Sequence, residues 1–201
     1  MTKGRLEAFS DAVVAILITI MVLELEVPHD ADLNALRPLL PKFLTYVLSF
    51  VFLGIYWNNH HHMLHLAGRI NGRILWANLH LLFWLSLVPF VTGWMGENHF
   101  APLPVAVYGM VLLAAALAYW VLERAIIAEQ GPESPLAQAV GSRWKENVSP
   151  VLYAAAIALA WVATWISLAL YVLVALLWLA PDPRIEARLR SAAAPGHRAA
   201  E

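Results

Sequence analysis

The side chains best able to do chemistry sit at two places. The first is Arg5-Leu6-Glu7-Ala8-Phe9-Ser10-Asp11, directly ahead of a long apolar run. A carboxylate inside a membrane helix costs about 2.5–3.5 kcal/mol at the bilayer centre and less near the end. Asp11 therefore needs a partner or water, and the macrodipole at a helix N-terminus would favour it. At about 100° per residue, Ser10 and Asp11 point well away from the stripe of Ile16, Ile20 and Leu23. A helix cap with an interfacial arginine explains this segment without any function; an anchor for the helix is the functional reading. The second place is Asn58-Asn59-His60-His61-His62-Met63-Leu64-His65. His61 and His65 stand four apart, a helical spacing able to hold zinc. No Glu lies between them, so the His-Glu-x-x-His pattern of metalloproteases is not met. Only His80 offers itself as a further ligand, and no metal or other cofactor is expected. The plainer reading is a polar helix end at the membrane face, with one histidine bonding to the first motif. Histidine also titrates near neutral pH, which leaves a proton relay open.

The elements that position these residues must lie in a bilayer. The chain has 201 residues, of which 61% are hydrophobic and 13% charged, with a mean hydropathy of +0.64. A soluble domain carries about 25% charged residues, so this chain has about half the usual means of wetting its surface. A soluble enzyme and a disordered chain are excluded. A nucleic-acid partner would want a basic excess, whereas here 13 Lys and Arg face 14 Asp and Glu. The absence of Cys removes disulfides, thiolate metal sites and cysteine nucleophiles. Nine Trp suit a chain with two long apolar–polar borders. Trp94, Trp120, Trp144 and Trp178 fall near the ends of apolar runs.

Five apolar blocks can be read, at about 9–25, 41–57, 74–96, 104–122 and 148–180. A span needs about 20 apolar residues. The last block is therefore one strongly tilted helix or two short ones joined near Thr164-Trp165-Ile166-Ser167. Lys and Arg collect on the cytoplasmic side. If the last block crosses twice, eleven cations lie inside and two, Arg37 and Lys42, outside; crossing once gives seven and six. Charge thus predicts an all-α integral membrane protein with six transmembrane helices and both termini in the cytosol. Residues 1–181 form the membrane domain, and 182–201 a short cytoplasmic tail, partly disordered. No small-x-small cleavage site follows the first block, which reads as a retained helix rather than a signal peptide. Glu24, Glu26, Asp30, Asp32 and Glu97 then fall outside, either as an acidic mouth that gathers cations or as translocated loops poor in Lys and Arg. Pro89 predicts a kink in the third helix, and the alanines of 114–118 and 154–160 permit close helix contacts.

Arg5-x-x-x-Phe9-Ser10-Asp11, continued by Ala12-Val13-Val14-Ala15-Ile16 and Thr19, resembles the first-helix signature of the transmembrane protein 175 family, the lysosomal and bacterial potassium-permeable channels. Tyr56-Trp57 followed by His60 and His61, with Asn78 and Pro89, extends the resemblance over the chain. Animal members resemble two such units in tandem, so one unit implies a homotetramer. The resemblance implies a pore lined by the first helix of each subunit. Carried over by position, Ile16 is the constriction, Ile20 and Leu23 form further apolar rings, and Thr19 places a hydroxyl close to the ion path. These four stand at i, i+3, i+4 and i+7, one helical stripe, although the first helix is apolar nearly all round and periodicity alone does not select that stripe. Arg5, Phe9, Ser10 and Asp11 would hold the helix to its neighbours, with His60, His61 and Asn78 as polar partners.

The expected function is a potassium-permeable cation channel in the plasma membrane. Its partners are monovalent cations, membrane lipid and three further copies of itself. No Thr-Val-Gly-Tyr-Gly loop is present to replace the hydration shell of the ion. An apolar ring acts by narrowness and dewetting, which predicts a modest preference for potassium over sodium. One rival is a proton-permeable channel or carrier using Asp11 and the histidines of 60–65. Another, a membrane-embedded hydrolase, lacks a nucleophile or metal-ligand set, and no enzyme activity is expected.

Overall fold

The computed structural model describes residues 2–139 and 144–179. The tail expected at 182–201, the arginines within it, and Arg143 lie outside the described residues. Among the described residues every regular element is a helix: α1 (Lys3–Leu23), a 3-10 helix (Leu33–Leu39), α2 (Leu40–Leu66), α3 (Gly72–Ser86), α4 (Val88–Glu97), α5 (Pro102–Gln130), α6 (Pro135–Ala139), α7 (Trp144–Leu159) and α8 (Thr164–Leu179).

Local chemistry sets the boundaries. Prolines open α2, α4 and α5 within their first two positions, where the missing N–H is no loss and φ is already helical. Asn71 caps α3 by accepting from the Ile74 backbone N–H at 3.0 Å. Gly131 ends α5 with φ of 89°, a conformation that costs a residue without Cβ little. The third apolar block is one segment broken into α3 and α4 at Leu87. Pro89 cannot donate to the carbonyl four residues earlier, so the break precedes the proline.

Four segments are long and apolar enough to cross a membrane: α1, residues 33–66, the α3–α4 unit of 26 residues, and α5. The last block is two helices of 16 residues each, joined through 160–163, just ahead of the expected 164–167. The Ser167 hydroxyl donates to the Ala156 carbonyl at 2.7 Å and ties α8 to α7. At about 1.5 Å per residue, the described part of each helix runs about 24 Å.

The central helix is α5, packed against α3, α4, α7 and α8, while α2 runs along α4 and α1 lies across α2, α3 and α4. Tyr108 and Tyr171 are fully buried where α5 meets α8, their rings edge-to-face with centroids 5.5 Å apart. The Tyr171 hydroxyl donates to the Val105 carbonyl at 3.0 Å. It reaches that carbonyl across Gly109, where a Cβ would collide with the Tyr171 hydroxyl. Gly109→Ala should therefore destabilise the fold by about 1–3 kcal/mol, the usual cost of overpacking. Thermal unfolding in detergent would register it, and Tyr171→Phe in the same background should recover part of the loss by removing the clashing oxygen.

Candidate functional site

The site is built on the N-terminal half of α1. The face of α1 turned into the bundle carries Leu6, Ser10, Val14, Leu17 and Met21. Four of these are apolar; Ser10, at 1% exposure, is the polar exception. Its hydroxyl donates to the Leu6 carbonyl at 2.9 Å and accepts from Asn78 Nδ2 of α3 at 3.0 Å. Asn78 is fully buried, and its Oδ1 lies 2.7 Å from His60 Nε2 of α2. Because that oxygen can only accept, His60 carries its proton on Nε2. One chain of hydrogen bonds thus links three helices through Ser10, Asn78 and His60.

A second tie lies beside it. The Asp11 carboxylate accepts from the Trp57 indole Nε1 at 3.0 Å. Since α1 begins at Lys3, Ser10 and Asp11 stand about two turns inside the helix and do not cap it. The macrodipole fades within the first turn, so the indole, not the helix end, satisfies Asp11. Lys3 Nζ donates to the His65 carbonyl at 2.8 Å and lies 3.9 Å from Glu7. The start of α1 and the end of α2 therefore share one end of the bundle.

The remaining expected residues divide between ties and open surface. His60 and Asn78 engage Ser10. His61 instead stacks between Trp57 and His65, with ring centroids 6.2 and 6.3 Å away, on the outer side of α2. Arg5 is exposed and makes no hydrogen bond or ion pair with any described residue, and Phe9 is 47% exposed. Within a single subunit these two do not hold α1 to its neighbours. His80 accepts from Trp84 on its own helix at 2.9 Å and does not join His61 and His65. No group of three metal-ligating side chains occurs among the described residues.

Ile16, Thr19, Ile20 and Leu23 lie roughly 180–280° around α1 from Ser10. All four are exposed, Ile16 at 55% and Leu23 at 77%. The Thr19 hydroxyl donates back to the Ile16 carbonyl at 2.9 Å, and its oxygen keeps the capacity to accept. At the far end of α1 the acidic residues are partly neutralised. Lys42 Nζ stands 3.3 Å from both Glu26 and Glu97, the Asp32 carboxylate accepts from the Ala35 N–H of the 3-10 helix, and the Glu24 side chain lies against Gly93.

Two polar features escaped the sequence reading. Ser49 Oγ lies 2.6 Å from Thr92 Oγ1 and 3.0 Å from the Tyr108 hydroxyl, joining α2, α4 and α5 in the core. The Trp57–Asp11 bond is the other. A signal for the first was present, because Thr45, Ser49, Tyr56 and His60 stand on one stripe of α2, and polar groups in membrane helices turn inward; Trp57 is exposed and lies off that stripe.

These features define an all-helical, multi-pass membrane protein whose first helix is pinned by polar bonds along one face and left uncovered along another. A family model described as "Endosomal/lysosomal potassium channel TMEM175" matches residues 5–89. A potassium channel of Chryseobacterium sp. (strain P1-3) is 54% identical over 190 residues, covering 94% of this chain and 99% of that one. A potassium channel of Streptomyces collinus is 32% identical over 207 residues, covering 96% and 98%. The crystal structure of a lysosomal potassium-selective channel TMEM175 homolog from Chamaesiphon minutus is similar with a TM-score of 0.76 at 28% identity, covering 88% of this chain and 96% of that one. The chain belongs to the TMEM175 family of ion channels.

Proposed function

We propose that this protein is a potassium-permeable cation channel of the plasma membrane, formed by four copies that set their first helices around one pore. The observation that carries this reading is the uncovered face of α1. Ile16, Thr19, Ile20 and Leu23 share it, while the opposite face is buried and hydrogen-bonded to α2 and α3. In the tetramer four Ile16 side chains form the narrowest ring, with Ile20 and Leu23 as further rings. The Thr19 oxygen, still able to accept, lies where an ion has lost part of its water.

The subunit crosses six times in this reading, through the four long segments and the α7–α8 pair, with both termini in the cytosol. Residues 1–181 form the channel domain and 182–201 a cytoplasmic tail. Lys3 at the start of α1, Arg69 and Arg73 between α2 and α3, and Arg124 near the end of α5 share the end assigned to the cytosol, as the positive-inside rule requires. An apolar ring repels water, so an ion passes only when the ring widens and part of its hydration shell is shed. Potassium holds its shell less tightly than sodium and gains a modest advantage.

Reconstitution into liposomes, with potassium and sodium flux measured separately against protein-free vesicles, tests the reading. Cation flux favouring potassium is the expected result. Flux that follows a pH gradient at fixed potassium would replace the reading with a proton pathway, and no cation flux beside a working positive control would end it.

A further inference from the structure

One chamber has no lining residue on α1, the helix proposed to line the pore. It lies between α2, α5, α7 and α8 and has a volume of about 390 Å³, a size typical of small-ligand sites. Phe52, Tyr56 and Tyr153 line its depth, and Ala116 stands on the α5 wall. Its lining turns polar where the apolar stretches of α2 and α5 give out, at Asn59 and Arg124, and at Glu146 and Asn147 at the start of α7. The Arg124 guanidinium sits 5.1 Å from the centre of the Trp120 ring, and Arg124 is exposed.

We propose that this chamber holds a membrane phospholipid. An acyl chain fills the aromatic depth, the phosphate meets Arg124, and the headgroup hydroxyls of a phosphatidylglycerol face Glu146 and Asn147. Three observations choose this occupant over a soluble one. The depth is lined mainly by aromatic rings and aliphatic carbon, a surface that suits an acyl chain. The polar rim stands at the edge of the apolar layer, where the Arg124 stem covers apolar surface and its head reaches headgroup level. A guanidinium presents paired donors that match phosphate oxygens, and Arg124 is the one cation among the described lining residues, whose other charged member is Glu146. A carboxylate accepts several hydrogen bonds, so Glu146 can receive a headgroup hydroxyl beside its other contacts. The proposal requires neither ion flux nor a tetramer and stands if the channel reading fails.

Native mass spectrometry of the delipidated full chain tests it, with dioleoylphosphatidylglycerol, dioleoylglycerol and inorganic phosphate as probes. Phosphatidylglycerol should be retained, and dioleoylglycerol, which lacks the phosphate, should bind at least roughly fivefold more weakly. Inorganic phosphate should neither bind nor compete. Ala116→Trp should fill the chamber and abolish retention, while Arg124→Gln, a surface change that spares packing in the depth, should weaken phosphatidylglycerol roughly fivefold. Each variant is read beside its melting temperature. Equal binding of the two lipids, an Arg124→Gln protein that binds as wild type, a folded Ala116→Trp protein that still retains lipid, or displacement of the lipid by inorganic phosphate would each overturn the proposal.

Discussion

Ile16→Asn is expected to raise total cation flux and to erase most of the preference for potassium. An amide in place of the four branched apolar side chains wets the constriction, so an ion no longer sheds its shell there. A modest preference corresponds to about 1 kcal/mol, or about fivefold, and the substituted ring should bring the ratio of potassium to sodium flux close to unity. Val22→Asn is the matched control. Val22 is 46% exposed, close to the 55% of Ile16, but points roughly 120° away on the same helix. If both substitutions change the ratio equally, or neither does, the Ile16 face does not line the path. Exposure alone would not have distinguished these two positions, and only the direction set by the bonded face does.

The second large effect is expected from Asn78→Leu. It removes the bonds to Ser10 and His60 and leaves the His60 N–H buried without a partner. A single interhelical hydrogen bond in a membrane is worth about 0.6 kcal/mol on average, and an orphaned buried polar group costs about 1–3 kcal/mol. The sum is about 2–4 kcal/mol, enough to lower the melting temperature by several degrees. His60→Leu should cost a similar amount, and the double substitution less than the sum of the two, because the pair is lost only once. Full additivity would mean that the two side chains do not act together. Since Asn78 also fixes the rotation of α1, the substitution should reduce flux or assembly more than it alters the potassium preference.

Much of the fold was legible because bilayer physics is severe. Long apolar runs gave helices in the right places, Pro89 gave the break between α3 and α4, and the length of the last block together with the placement of its flanking cations gave its division in two. The partners of Ser10 were legible at the level of residue type: a buried hydroxyl needs a polar neighbour, and Asn78 and His60 were among the few at hand. The position of the bonded face was not legible, because α1 is apolar nearly all round and its periodicity carries little direction. His61 looked equivalent to His60 in the sequence. Yet one residue turns a helix by about 100°, and that difference sends His60 into the core and His61 into a ring stack with Trp57. Arg5 was expected to bond as its motif neighbours do. Its place on the uncovered side of α1 follows from the same rotation and could not be read without knowing where Ser10 points.

The polar ties of α1 carry a mechanical consequence. Lys3, Ser10 and Asp11 fasten residues 3–11 to α2 and α3, whereas Val14, Leu17 and Met21 meet the bundle through apolar contact, which has no preferred direction. The helix is therefore a lever clamped at one end, and its far half can swing or slide without breaking a directional bond.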